Sequence, residues 1–152
     1  MIRIVEYLPI LTTLFSIYFS WEIYLHYRDR RTTYLLWWTI GVITYGMGTL
    51  AESINILAGW SEANLKYWYI TGALLGGFPL AQGSVYLLLK KKFADITAWL
   101  ISGIIFIVSL GIIFTPLTLP ESFDHKLTGA VFTWTWVRYF APFINTYSFI
   151  FY

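Results

Sequence analysis

Five apolar stretches, each about as long as a bilayer is thick, follow one another in this chain of 152 residues. Lysine and arginine gather at every second junction between them. A hydrocarbon core of ~30 Å takes about 20 consecutive apolar helical residues. The stretches at 5–26, 34–58, 67–89, 96–115 and 130–152 all reach that length. The expected fold class is therefore all-α: a transmembrane helical bundle with five spans, forming a single domain over residues 1–152.

Charge content agrees with lipid as the solvent. Only 12% of the residues are charged, where a soluble domain carries about 25%, and the stretches are apolar nearly all round rather than on one face. A formal charge of +2 gives no argument for nucleic acid. With no cysteine in the chain, disulfides, thiolate metal sites and cysteine nucleophiles are excluded. Arg3 and Glu6 precede an apolar run with no small-residue cleavage site before Trp21 and Glu22, which marks an uncleaved first helix rather than a signal peptide. Trp37, Trp38, Trp60, Tyr67, Trp68 and Tyr69 fall near expected interfaces, where amphipathic rings anchor helix ends.

Orientation follows from the junctions. Arg28-Asp29-Arg30-Arg31 follows the first stretch and Lys90-Lys91-Lys92 the third, whereas Gly59–Asn64 has no basic residue before Lys66. The outer loop Pro116–Leu127 holds Lys126 alone. Retention of basic residues inside makes loops 27–33 and 90–95 cytoplasmic, with the N-terminus outside and the C-terminus inside. The basic loops should attract anionic lipid, at about 1 kcal/mol per charge. The last stretch stops at Tyr147-Ser148-Phe149-Ile150-Phe151-Tyr152 without a polar tail, so the expectation is a fragment of a longer protein, and two more helices would make this chain the first five spans of seven.

One set of residues carries a resemblance. Trp37-Trp38, Gly48-Thr49-Leu50-Ala51-Glu52, Gly59-Trp60-Ser61, Trp68-Tyr69, Gly72-Ala73-Leu74-Leu75, Gly83, Tyr86-Leu87-Leu88, Arg138, Ala141-Pro142 and Asn145 stand in a pattern that resembles an uncharacterised prokaryotic family of multi-pass integral membrane proteins. The likeness covers roughly residues 35–147. It implies a prokaryotic plasma (inner) membrane and further chain beyond Tyr152, and it implies no activity.

Helices in lipid associate by close backbone approach, which small residues permit. Gly72 and Gly76 have GxxxG spacing, Gly77 and Gly83 extend the small face, and Pro79 is expected to kink the third helix. That helix should lie at the centre of the bundle. Thr44, Gly48 and Glu52 form a second stripe at i, i+4 spacing, and Thr12, Ser16 and Ser20 a third.

Ionisable groups at membrane depth cost at least ~2.5–3.5 kcal/mol, so each needs a reason. Glu52 and Arg138 are expected at matching depths, roughly 10–12 Å below the outer interface by the 1.5 Å rise. They are predicted to form a buried ion pair, with Asn55 taking a further hydrogen bond from or to Glu52. Glu22 sits near the cytoplasmic end of the first helix, where Gln82 and Asn145 are expected to approach it; the alternative for Glu22 is snorkelling to headgroup water. His26, at a basic interface, reads as a solvated side chain rather than a tetrapyrrole ligand. Glu121, Asp124 and His125 match no metal spacing and read as a polar loop, so no metal site is predicted.

No nucleophile elbow, phosphate loop, paired-carboxylate site or metalloprotease helix is present, and the chain is not expected to be an enzyme. The leading reading is a non-catalytic accessory or scaffold subunit of a larger membrane assembly, with other membrane subunits and lipids as partners. The alternative is a ligand-handling bundle that binds or transports a lipid, quinone, pigment or ion through Glu52, Arg138, Glu22, Gln82 and Asn145. A seven-helix sensor would need the two additional spans. No cofactor is predicted outright. A scaffold should leave its polar side chains paired with each other, whereas a binder should leave two or more facing an open cavity.

Overall fold

The computed structural model describes residues 7–120 and 126–152; Arg3, Glu6, Glu121, Asp124 and His125 lie outside the described residues. The described chain is all-helical, and three of its helices are long and apolar enough to cross a membrane: α1 (Leu8–Arg30), α2 (Thr33–Ala58) and α5 (Lys91–Phe114). Arg31, in the left-handed conformation at φ 52°, closes α1 by donating its N–H to the Tyr27 carbonyl, and α2 starts two residues later, so the two helices form a tight hairpin. Hydroxyls line their interface. Thr13 Oγ1 lies 3.0 Å from Thr49 Oγ1 and 3.3 Å from Ser53 Oγ, and Ser16 packs where a side chain on Gly46 would sit. In the expected Thr12–Ser16–Ser20 stripe, each of the three hydroxyls donates to a carbonyl of its own helix.

The stretch expected as one kinked third helix is broken. It comprises α3 (Glu62–Trp68), a π-helical segment (Tyr69–Leu74), a bend at residues 75–77, and α4 (Phe78–Leu88). Pro79 sits in the first turn of α4, where its missing N–H has no helical acceptor to serve. Had the helix continued, that N–H would have paired with the Leu75 carbonyl. Thr44 Oγ1, from α2, lies 3.3 Å from that same oxygen and 3.1 Å from the Gly41 carbonyl of its own helix, so its one proton is shared between the two.

Along its whole length α2 runs antiparallel to this broken unit. Trp38 covers Gly83, Gly41 faces Leu80, Thr44 faces Leu75, Gly48 touches Gly72, and Glu52 meets Trp68. A Cβ built on Gly48 would stand 2.9 Å from Gly72 Cα, so the two backbones meet directly. Asn64 secures the far end by donating its side-chain amide to the Ala51 carbonyl at 2.8 Å.

On its other side the broken unit packs on α5 and on α6 (Trp136–Phe151). The core holds Leu65, Tyr69, Leu74 and Phe78 against Ile105, Ile112, Val137 and Ile144. Gly77 lies under Ser148 of α6, completing a central position for this unit, whereas Gly76 meets the carbonyl of Gly72 in its own segment rather than another helix. Gly76 therefore makes room for the bend instead of packing two helices.

The fifth expected stretch is shorter than the sequence suggests. Residues 130–135 are not in α6: Gly129–Val131 form a 3-10 turn, and Phe132 makes an antiparallel bridge with Leu117. Phe132 is buried edge-on against Tyr69, with ring centroids 4.9 Å apart. Thr115 Oγ1 accepts the Trp134 N–H at 3.1 Å and holds the stem of the loop in place.

Candidate functional site

Later onset of α6 changes where Arg138 lies. It stands in the first turn of the helix and is exposed, not two turns inside a span. Glu52 lies six residues before the end of α2, about 9 Å along the axis, and its Oε1 accepts the Trp68 indole N–H at 3.2 Å. The expected Glu52–Arg138 ion pair is absent: among the described residues the ion pairs are Glu62–Lys66 and Lys91–Asp95. The two residues do not meet: α6 starts too late to give Arg138 the expected depth, and the α3–π unit stands between them. Trp68 faces α2 and Glu52, and its neighbour Tyr69 faces the 3-10 turn and α6.

Each of the two charged residues instead heads its own cleft. Arg138 opens onto a cavity of about 560 Å³ that also meets Asn145, Thr128, Thr135, Tyr69 and Pro142. No described residue makes a hydrogen bond or ion pair with its guanidinium. Asn145 follows it two turns along the same face of α6, and Pro142 between them has no N–H to give to the Arg138 carbonyl. The cleft is thus polar at its mouth, with Ala141 and Pro142 forming an apolar stretch of wall.

Glu52 faces a smaller cavity of about 230 Å³, bounded by Tyr45, Thr49, Trp68, Gly72 and Ala73. The floor is the Gly48–Gly72 contact. Apart from the indole bond, the Glu52 carboxylate has no partner, and no cation lies within ion-pair distance among the described residues. Asn55 does not supply the expected bond to Glu52; its Oδ1 is buried and has no hydrogen-bond partner among the described residues.

Gln82 belongs to neither cleft. It is fully buried, donates to the Ala94 carbonyl at 2.9 Å, and accepts from the Tyr147 hydroxyl at 2.8 Å and from Thr97 at 3.3 Å. It ties α4, α5 and α6 together, so its polarity is spent on packing. The expected gathering of Glu22, Gln82 and Asn145 does not occur. Glu22 is half-buried on α1, and Asn145 turns to the Arg138 cleft. The Glu22 backbone carbonyl lies 2.8 Å from His26 Nδ1, one turn along α1.

Two further residues shape the site without having stood out in the sequence. Asn64 holds α3 on α2, and Lys66 reaches the Ile113 carbonyl at the end of α5 at 3.0 Å while pairing with Glu62 at 2.7 Å. The signal for the second was the Glu62–Lys66 spacing of four on a helix; Asn64 offered none beyond its place after the Ser61 cap. Together they draw the ends of α2, α3 and α5 to one end of the bundle, where both clefts lie. No protein-family model, curated protein or solved structure matches the chain, so the chemistry of these clefts rests on their own residues.

Proposed function

We propose that this is a five-span integral membrane protein, N-terminus outside, whose Arg138 cleft holds the acidic head of an amphiphile. In this reading the broken α3–α4 unit and α6 are the third and fifth spans, loops 27–33 and 90–95 are cytoplasmic, and both clefts open in the outer half of the bilayer. The observation that carries it is a guanidinium without hydrogen bond or ion pair among the described residues, beside an open cleft, with Asn145 on the same helix face. A guanidinium presents a planar fork of donors to phosphate or carboxylate. An arginine that served only to anchor a helix end would need no cleft behind it. Of the polar residues weighed in the sequence, Glu52, Arg138 and Asn145 face cavities and Gln82 alone is fully paired, the pattern expected of a binder.

An accessory-subunit role keeps one supporting feature. α1 packs chiefly on α2 and leaves Leu11, Leu14, Phe15, Ile17 and Tyr18 exposed, a face equally suited to lipid tails or a partner helix. Purification in mild detergent followed by mass spectrometry of intact species separates the two. The wild type is expected to retain an acidic lipid, and Arg138→Gln to lose it with about 10–100-fold weaker binding, the equivalent of one charge-assisted contact. Equal retention by Arg138→Gln, or a stoichiometric larger subunit with no bound acid, overturns the reading.

A further inference from the structure

We infer that the Glu52 cleft is a second, independent binding site, one that takes a quaternary ammonium group. Glu52 supplies the charge: a carboxylate on a membrane helix with a single hydrogen bond and no cation within reach among the described residues. Such a group is costly to bury unpaired, and an external cation would offset that cost. The remaining wall determines which cation fits.

A metal ion of the alkali or alkaline-earth class needs about six oxygen ligands, and this wall lacks them. Besides Glu52 its side-chain oxygens are the Tyr45 and Thr49 hydroxyls, and Thr49 already donates to the Gly46 carbonyl and accepts from Thr13. A primary ammonium would bring three donors and meet the same shortage of acceptors. What the wall does hold is two aromatic rings, Tyr45 and Trp68, with the bare backbone of Gly48 and Gly72 as its floor. A trimethylammonium group needs no hydrogen-bond acceptor; it needs aromatic faces and a counter-charge. The cavity of about 230 Å³ has room for such a head.

The device is local to the break in the third span. The π-helical segment begins at Tyr69, directly after Trp68, and carries Gly72 and Ala73 into the cleft. π-Helical turns recur at functional sites. Because the Trp68 N–H donates to Glu52 Oε1, the indole both forms the wall and orients the carboxylate.

The test is a titration of the purified full chain with tetramethylammonium chloride at constant ionic strength, followed by calorimetry. Potassium chloride serves as the competing salt. Saturable binding is expected, with Glu52→Gln weakening it by about tenfold or more. Tyr45→Ala, at a residue exposed on the outside of α2, should weaken it several-fold while leaving the helical circular dichroism unchanged, so a folding defect in Glu52→Gln does not leave the idea untested. Arg138→Gln should leave it unaltered, which separates this site from the anionic one. A parallel arm compares nanodiscs of phosphatidylcholine and phosphatidylglycerol. Binding of the free cation identifies a soluble source, and retention of phosphatidylcholine alone identifies a lipid headgroup. No saturable binding in either arm, equal displacement by potassium, or wild-type affinity in Tyr45→Ala and folded Glu52→Gln overturns the proposal.

Discussion

Thr44 lies against the carbonyl that Pro79 leaves without its helical donor, and the 3.3 Å contact with Leu75 shows how a single hydroxyl lets a helix break inside an apolar bundle. If the broken unit crosses the bilayer as proposed, water cannot satisfy that oxygen and the neighbouring helix must. Thr44→Val keeps the shape and removes the donor. It should cost about 0.6 kcal/mol, and at most ~1.7 kcal/mol, in unfolding free energy measured by denaturant titration in micelles. Thr12→Val, whose hydroxyl serves only the Leu8 carbonyl of its own helix, should be close to neutral; equal losses would mean that Thr44 is no more than another back-bonded threonine. Gln82 stands at the opposite extreme, with both ends of its amide occupied by α5 and α6. Gln82→Leu strands the Tyr147 hydroxyl, while the Ala94 carbonyl keeps the Thr97 hydroxyl at 3.1 Å, so a loss of about 1–3 kcal/mol in the same measurement is expected.

At the scale of the element, the pairing of α2 with the broken α3–α4 unit organises the molecule. Small residues recur where the backbones come nearest, at Gly41, Gly48 and Gly72, and Gly83 leaves room for the Trp38 indole. The contact at Gly48 is backbone on backbone and has no flexible side chain to move aside. Gly48→Ala should therefore destabilise the bundle by roughly 1–3 kcal/mol. At Gly103, on the outside of α5, an added Cβ meets nothing within 4 Å, and Gly103→Ala should stabilise by about 0.5–1 kcal/mol through helix propensity alone. Melting of both variants in detergent checks the contrast; a harmless Gly48→Ala would show that the two elements can slide apart. The same contact forms the floor of the Glu52 cleft, so Gly48→Ala should also weaken tetramethylammonium binding.

For the whole molecule, the prediction concerns threading. The chain has no cysteine, so single introduced cysteines report cleanly on sidedness. With a membrane-impermeant maleimide applied to intact cells, Ser61→Cys should label, and Asp29→Cys and Lys91→Cys should label only after the membrane is opened. Labelling of Ser61→Cys and Lys91→Cys from the same side would mean that the broken unit does not cross. Apolar length and the absence of polar faces made an all-helical fold with helices long enough to cross a membrane legible in the residues themselves, because those properties are local and add up along each stretch. The Thr44, Gly48 and Glu52 stripe was legible for the same reason: helical periodicity alone puts the three on one face. Height along a helix axis, however, says nothing about which way a side chain points around it. Glu52 and Arg138 were expected at one height, and the structure puts them on opposite sides of Trp68 and Tyr69. Even the height of Arg138 depended on where α6 starts, and that was decided by Phe132 pairing with Leu117 fifteen positions earlier. Gln82 and Asn145 are nearly the same in chemistry; one became a packing tie and the other a cleft residue solely through the helices that surround them. Composition and periodicity determined the helices and their apolar length, and long-range packing alone decided which polar groups remained open to a cleft.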